Sequence, residues 1–407
     1  MHLDHLALFR EKGWECAEFA MDHPLNEPSR FKAYFPRYFE PKNARGFDKI
    51  AAAARFLHSG EAGKKFAALL DDFRPDIIHV HGIYHHLTPA ILPPALARKI
   101  PIAFTLHDYK LICPAYHFFR PGIGVCERCG GGKQWNCAVH RCAQGSLATD
   151  AIYALDGLIQ WHRGTVRNAV SAFIGPCRFI VDKFAEHGFP RERLHYVPNF
   201  FETTDDRPVE PQAITALRER YGRFVLYFGR LSVEKGLPVL VEAAAKAGVA
   251  LVFVGEGKEE EKLRAQVTAL GVRAHFTGHL KGAELWAHVE AATAIALPSI
   301  WYEIAPKSIL EAQARGKVVI TTAIGGLPEM VEDGVTGLVV PPNDADALAA
   351  AISRLFAMSD EDRDAMGEAA RLHALRTFTR ERYFGEMTAI YDRLLGRTPA
   401  PITEKAA

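Results

Sequence analysis

The 407-residue chain has almost no net charge, no long apolar run and only seven cysteines. With 49 Lys+Arg against 48 Asp+Glu, 48% apolar residues and 24% charged, the composition is that of an ordinary globular protein and not of a disordered chain. No uninterrupted apolar stretch approaches the ~18 residues that cross a bilayer. The opening Met1-His2-Leu3-Asp4-His5 acquires charge at once, without the apolar core and cleavage site of a secretory leader. A cytoplasmic enzyme is therefore the expectation. A complete dinucleotide fingerprint is also missing: Gly255-Glu256-Gly257 follows an apolar run, but Glu260 stands where the third glycine belongs. That disfavours an NAD-dependent oxidoreductase.

The near-zero charge hides an uneven division. Residues 1–200 carry 25 Lys+Arg and 19 Asp+Glu, a net of +6, and the remaining 24 against 29 give −5. Scattered solvated charge accounts for this. A contact of the basic half with the inner face of a membrane or with a phosphate-bearing acceptor is the alternative.

At this length two or three domains are expected, and the pattern alternates strand with helix, which argues for parallel α/β sheets. In the first half, strands are predicted at 16–20, 76–80, 102–106, 172–174 and 195–197, with helices at 66–72 and 90–99 between them. Polar residues 202–211 read as a linker and hinge. In the second half, strands are predicted at 224–228, 251–254, 274–277, 294–296, 318–321 and 338–340. Helices should start near Gly236, Lys258, Gly282, Lys307, Gly326 and Ala345. Two further helices, 360–377 and 380–395, precede a polar tail. The domains are thus 1–200, a linker at 201–212, 213–377, and a closing helix at 378–397 that packs back on the first domain. The chain begins inside what reads as the first helix, at 3–12, and the strand and glycine loop that open a Rossmann-like domain are not seen. Either the start is set too far downstream or the domain is truncated.

Three constellations carry chemistry. Gly229-Arg230-Leu231-Ser232-Val233-Glu234-Lys235-Gly236 lies where a strand ends and a helix begins, where free backbone amides and the helix dipole attract anions. Arg230 can grip a diphosphate with its fork and Lys235 as a point charge. Ordinary surface cations on a turn are the bland alternative. The second stretch runs Trp301-Tyr302-Glu303-Ile304-Ala305-Pro306-Lys307-Ser308-Ile309-Leu310-Glu311. Pro306 suits the first position of a helix, and the amides of Lys307 and Ser308 can then receive a phosphate. Glu311, a turn deeper, can accept two ribose hydroxyls, and Glu303 can bond a sugar; a cap and a solvated helix residue are their bland counterparts. Third, Cys113, Cys126, Cys129, Cys137 and Cys142, with His140 nearby, fall within thirty positions of a glycine-rich insertion, 113–145. A structural zinc site, a reduced metal-free cluster and a disulfide all remain open. The segment has no basic recognition helix, so nucleic acid is not an expected partner. His79, His81, His85 and His86 could bind metal, with cleft or core histidines the commoner case.

Residues 229–236 and the Glu303/Glu311 pair, followed by Gly325-Gly326-Leu327-Pro328-Glu329-Met330-Val331, resemble the retaining GT-B glycosyltransferases of family 4, the group 1 glycosyl transferases. The match runs over 223–357. Pro75-Asp76-Ile77-Ile78-His79-Val80-His81-Gly82 and Leu106-His107-Asp108 are similar to that family's N-domain strand ends. The resemblance implies two Rossmann-like domains facing a cleft and transfer of a sugar from a UDP- or GDP-sugar donor to a glycan or lipid-linked acceptor. It implies retention of configuration and no catalytic metal. By it, Arg230 and Lys235 neutralise the diphosphate, Glu311 holds the ribose, Glu303 touches the donor sugar, and His107 stands near the anomeric centre. Gly229, Glu256, Ala305, Pro306, Lys307 and Ser308 complete the donor site. Where the family usually has Gly-Phe-Gly after the first acid, this chain has Ile304-Ala305-Pro306. Asp344 and Asp346 resemble the metal-binding DxD of another glycosyltransferase fold but follow Pro341-Pro342-Asn343 and read as a helix start. The rival expectation is a non-catalytic sugar-nucleotide-binding or scaffold protein; a sugar-nucleotide epimerase is disfavoured by the paired acids.

Overall fold

Strands buried on both faces need helices on both sides, and the apolar runs of the second half meet that condition. The computed structural model describes residues 2–39, 48–143, 146–201 and 209–398. Its strands in chain order are β1 (Ile78–Val80), β2 (Ile102–Thr105), β3 (Phe119–Arg120), β4 (Gly124–Val125), β5 (Ala172–Gly175), β6 (Leu194–Tyr196), β7 (Phe224–Phe228), β8 (Ala250–Val254), β9 (Ala274–Gly278), β10 (Ala294–Leu297), β11 (Val319–Thr322) and β12 (Gly337–Val340). Two parallel sheets result, β1-β2-β5-β6 and β12-β11-β10-β7-β8-β9, with β3 and β4 as a small antiparallel ribbon in the cysteine insertion. Every residue of β7 and β8 is buried.

The second sheet is doubly wound. From β7 the chain runs outward through β8 and β9, then returns to place β10 on the other side of β7. The carboxyl ends of β7 and β10 therefore border a topological switch point, the place where an open α/β sheet forms its ligand crevice. In the first domain, helix Arg380–Leu394 packs across the sheet: Tyr383, Met387, Ile390 and Tyr391 share a buried cluster with Leu8, Phe9, Ala103, Ala172 and Ile174. Among the described residues no helix is long and apolar enough to cross a membrane.

Four details differ from the sequence reading. Residues 16–20 form no strand: β1 pairs only with β2, and residues 16–20 instead share with Ile77–Val80 the lining of a cavity of about 540 Å³. The apolar alternation there is satisfied by packing, Phe19 lying against Phe35 and Phe66, while the following Asp22 bridges to Arg37. The helix expected near Gly326 is a single tight turn, Leu327–Glu329. The 90–99 helix divides at proline-rich residues into a 3-10 turn Pro89–Ile91 and a helix Leu92–Ala97. Helix Pro211–Tyr221 begins inside the expected linker, whose residues 202–208 lie outside the described ones.

His85 shows the cost of burying a titratable ring. It stacks on Phe56 with ring centroids 4.0 Å apart, and neither ring nitrogen has a partner. Burial, aided by the charges of Lys110 and His86, lowers its pKa to about 3. The folded pKa lies below the unfolded 6.5, so this stability is complete above pH 6.5 and is lost as pH falls toward 3. Between pH 7 and 5 that amounts to about 2 kcal/mol. His85→Asn, which tolerates the left-handed backbone at φ 69° and does not titrate, is expected to flatten the fall in urea midpoint over that range. An unchanged slope would remove His85 from the account.

Candidate functional site

The switch point is built by chain segments that approach too closely for any side chain. Gly229 N–H donates to Val254 O at 2.9 Å and Leu231 N–H to Glu256 O at 2.9 Å, which locks the loops after β7 and β8 together. A Cβ at Gly255 would stand 2.0 Å from Gly229 O. Next comes a tight turn, Val233–Lys235, and then helix Leu237–Ala247. Gly236 joins them at φ 67°, and a Cβ there would lie 2.0 Å from Pro298 O. Both conformation and space demand glycine at this position.

This packing holds Lys235 against the loop after β10. Its Nζ lies 2.5 Å from Glu303 Oε1, which also accepts 2.7 Å from Ser299 Oγ. The side chains are 14% and 6% exposed, so Glu303 is buried and Lys235 reaches solvent only at a small part of its surface. The Trp301 ring lies beside the ammonium at 5.5 Å. Arg230, in contrast, is 68% exposed and steadied by Glu234 at 2.8 Å and Ser232 at 3.3 Å. Burial pushes the Glu234 carboxyl up, but hydrogen bonding by Ser232 and the charges of Arg230 and Lys235 outweigh it and leave the carboxyl below the usual range.

Pro306 is the N-cap of helix Lys307–Ala314 and not its first residue, one position earlier than the sequence reading put it. The amides of Lys307 and Ser308 thus open the helix, at its positive end. Lys307 Nζ reaches Asp4 Oδ2 of the first domain at 3.0 Å. Glu311 sits a turn further in; burial raises its pKa, with Lys307 and Arg315 pulling partly back. Ala305 packs partly buried against the core. Glu256 is exposed and contributes its backbone oxygen to the loop.

His107 follows β2 on the first domain, where its Nε2 meets His81 Nδ1 at 2.9 Å. Burial lowers its pKa to about 4. The domains also touch at two contacts that sequence reasoning missed. Glu329, in the turn after β11, accepts from the backbone amides of Arg178 and Phe179 at 2.7 Å each and so caps helix Arg178–Glu186 of the other domain. Tyr302 O–H donates to Glu127 Oε1 at 2.7 Å, and Lys183 closes on the same carboxylate at 3.1 Å. The Gly-Gly-Leu-Pro-Glu run and the acid inside the CxxC loop were the available signals, but neither names its partner.

The five clustered cysteines are free thiols. Cys113, Cys129 and Cys137 are buried, whereas Cys126 and Cys142 are half-buried. Among the described residues no three of their sulfurs lie within 4.8 Å of one another. Cys137 and Cys142 interact directly: the hydrogen bond from Cys137 brings Cys142 down to about 7, and the same bond pushes Cys137 up. His140 turns to Arg128 at 3.1 Å. Asp344 caps its helix through Ala347 N–H at 2.9 Å, and Asp346 pairs with Lys246 at 2.7 Å.

Residues 216–373 match the model of the glycosyl transferases group 1, and residues 25–199 that of a glycosyl transferase 4-like domain. The chain is 34% identical over 215 residues to a GDP-mannose-dependent alpha-(1-6)-phosphatidylinositol monomannoside mannosyltransferase of Mycolicibacterium smegmatis, covering 49% of this chain and 56% of that protein. It is 29% identical over 214 residues to an alpha-D-kanosaminyltransferase of Streptomyces kanamyceticus, covering 49% and 55%. The matches thus span about half the length of these curated relatives. Among solved structures, sucrose-phosphate synthase of Thermosynechococcus elongatus is similar with a TM-score of 0.66 at 20% identity, over 96% of this chain and 91% of that one. Anabaena Alr3699/HepE in complex with UDP is similar with a TM-score of 0.60 at 20% identity, over 81% and 82%. At these identities the structural likeness speaks for the fold, two parallel-sheet domains of GT-B type.

The buried Lys235–Glu303 pair gives the site a stability signature. Removing one partner strands the other charge, which typically costs about 3–5 kcal/mol, whereas replacing both with apolar residues of similar volume is close to neutral. Glu303→Ala is therefore expected to lower unfolding free energy by about that amount, and the double variant Lys235→Met/Glu303→Leu to recover most of it. Urea titration checks both; a single variant as stable as the parent would show the pair to be solvated.

Proposed function

We propose, from the premise that this chain belongs to the group 1 glycosyl transferases, that it transfers a sugar from a nucleotide diphosphate donor to a hydroxyl acceptor with retention at the anomeric carbon. The observation that carries this reading is the gathering of Arg230, the Lys235–Glu303 pair and the amino end of helix Lys307–Ala314 at the crevice between β7 and β10. Charge develops on the leaving diphosphate as the glycosidic bond breaks. An exposed guanidinium, a fixed ammonium and free amides at a helix start stabilise that charge with little reorganisation.

Each residue has a role in this reading. Arg230 and Lys235 take the diphosphate, the amides of Lys307 and Ser308 its oxygens, and Glu311 the ribose hydroxyls. Glu303 holds Lys235 in place and bonds the donor sugar. A leaving-phosphate oxygen takes the proton of the incoming hydroxyl on the same face, so no carboxylate nucleophile is needed. His107, kept neutral by burial, faces the reacting centre from the other domain. A UDP- or GDP-sugar is the donor class, in keeping with relatives named for GDP-mannose and a neighbour solved with UDP. A glycan or lipid-linked acceptor, met at the inner face of a membrane, suits the net positive charge of residues 1–200.

A thermal-shift panel of UDP-, GDP- and ADP-sugars identifies the donor, because a ligand that binds the native state raises its melting point. With that donor, Arg230→Ala and Glu311→Gln are each expected to lower kcat/KM by about 10²-fold or more while the unfolding midpoint stays near the parent's. Parent-like turnover in both variants would overturn the site.

A further inference from the structure

We propose that His5, His79 and His81 form a binding site for a divalent transition-metal ion of zinc's class on the first domain. His79 and His81 are two residues apart at the end of β1, so their side chains leave the same face. Their rings stack with centroids 4.3 Å apart, and the His5 ring, from helix His2–Glu11, stands 4.6 and 5.0 Å from them. Each residue brings a potential ligand nitrogen within 4.8 Å of the other two.

The hydrogen bonds sort the six ring nitrogens into two sets. One nitrogen of each ring is anchored outward: His5 Nδ1 on Tyr383 O–H at 2.8 Å, His79 Nε2 on Thr105 Oγ1 at 2.7 Å, and His81 Nδ1 on His107 Nε2 at 2.9 Å. The others are His5 Nε2, His79 Nδ1 and His81 Nε2. His81 Nε2 is buried and has no partner, an unmet acceptor or donor that a folded protein rarely tolerates. His79 Nδ1 and His5 Nε2 meet one shared oxygen, the Tyr391 hydroxyl, the latter at 3.5 Å. Three imidazole nitrogens with one oxygen beside them make a four-donor set that suits zinc, cobalt or nickel rather than magnesium or calcium. Outward anchoring of each ligand's second nitrogen is the support that metal-binding histidines require.

The site also acts on its neighbour. A metal on His81 Nε2 leaves that ring's proton on Nδ1, which then donates to His107 Nε2 and fixes the tautomer and direction of His107. His5 and Tyr391 lie far apart in the chain, so the same ion ties its first helix to its last.

The full chain, stripped of metal by chelator and dialysis, is titrated with Co²⁺ and then competed with Zn²⁺. One tight site is expected, with the visible bands of four-coordinate Co²⁺ and no thiolate charge-transfer band in the near ultraviolet. His81→Asn and His5→Asn are expected to weaken it at least tenfold, and Cys126→Ser/Cys129→Ser to leave it unchanged. His81→Asn keeps the anchors of the other two rings, and its circular dichroism and unfolding midpoint establish that it folds. The proposal is overturned if the parent binds no stoichiometric ion, if the histidine variants bind as tightly as the parent, or if a thiolate band appears and vanishes with the cysteine changes.

Discussion

The site depends on one buried ion pair. Lys235 and Glu303 come from loops after β7 and β10, strands adjacent in the sheet but far apart in sequence, and they meet in a setting with little water. Desolvating both charges is costly, and the cost is offset only because the geometry is fixed by Ser299, by Trp301 and by glycines that let the loops touch. Gly236 sits against Pro298, Gly255 against Gly229, and Gly325 against Glu303, where a Cβ would lie 2.3 Å from the backbone oxygen. The glycines thus set the separation at which the ammonium and the carboxylate find each other. With Glu303 committed to Lys235, the exposed Arg230 is the cation that is left to meet an incoming anion first.

Much of the second domain was legible because its signals are local. Most strands are short apolar runs, several helices start at a cap or glycine, as at Asp344 and Gly236, and the cations, acids and proline of the site lie at the seams between them. The first domain was less legible. Residues 16–20 have the alternation of a strand but meet no ladder partner, and a strand needs a neighbour that sequence pattern alone does not supply. Pro89, Pro93 and Pro94 broke one expected helix into two pieces. In the site, nothing local signals how far the first domain intrudes on the second: Glu127 lies 175 residues from Tyr302, and Glu329 lies 151 from Arg178. The histidines of β1 passed for isolated cleft residues because their third member, His5, belongs to a helix more than seventy positions away.

The cysteine insertion stands between these cases. The five thiols belong to one short lobe, residues 113–142, in which Cys113, Cys129 and Cys137 join the core of the first domain and Cys142 packs against it. What spacing did not reveal is where the lobe faces. Glu127, inside the CxxC loop, accepts from Tyr302, the residue before Glu303, and Phe118 packs edge-on against the same ring. The lobe is thus part of the wall of the crevice, one side chain away from the buried ion pair.

Glu329 has a consequence of its own. Its carboxylate serves as the cap for a helix that belongs to the facing domain, so any parting of the two halves uncovers two amides and a charge together. A bond of this kind, an anion against the positive end of a helix, weakens as mobile ions accumulate around it. That share of the clasp between the halves is therefore electrostatic, and it lets go more readily as its surroundings grow saltier.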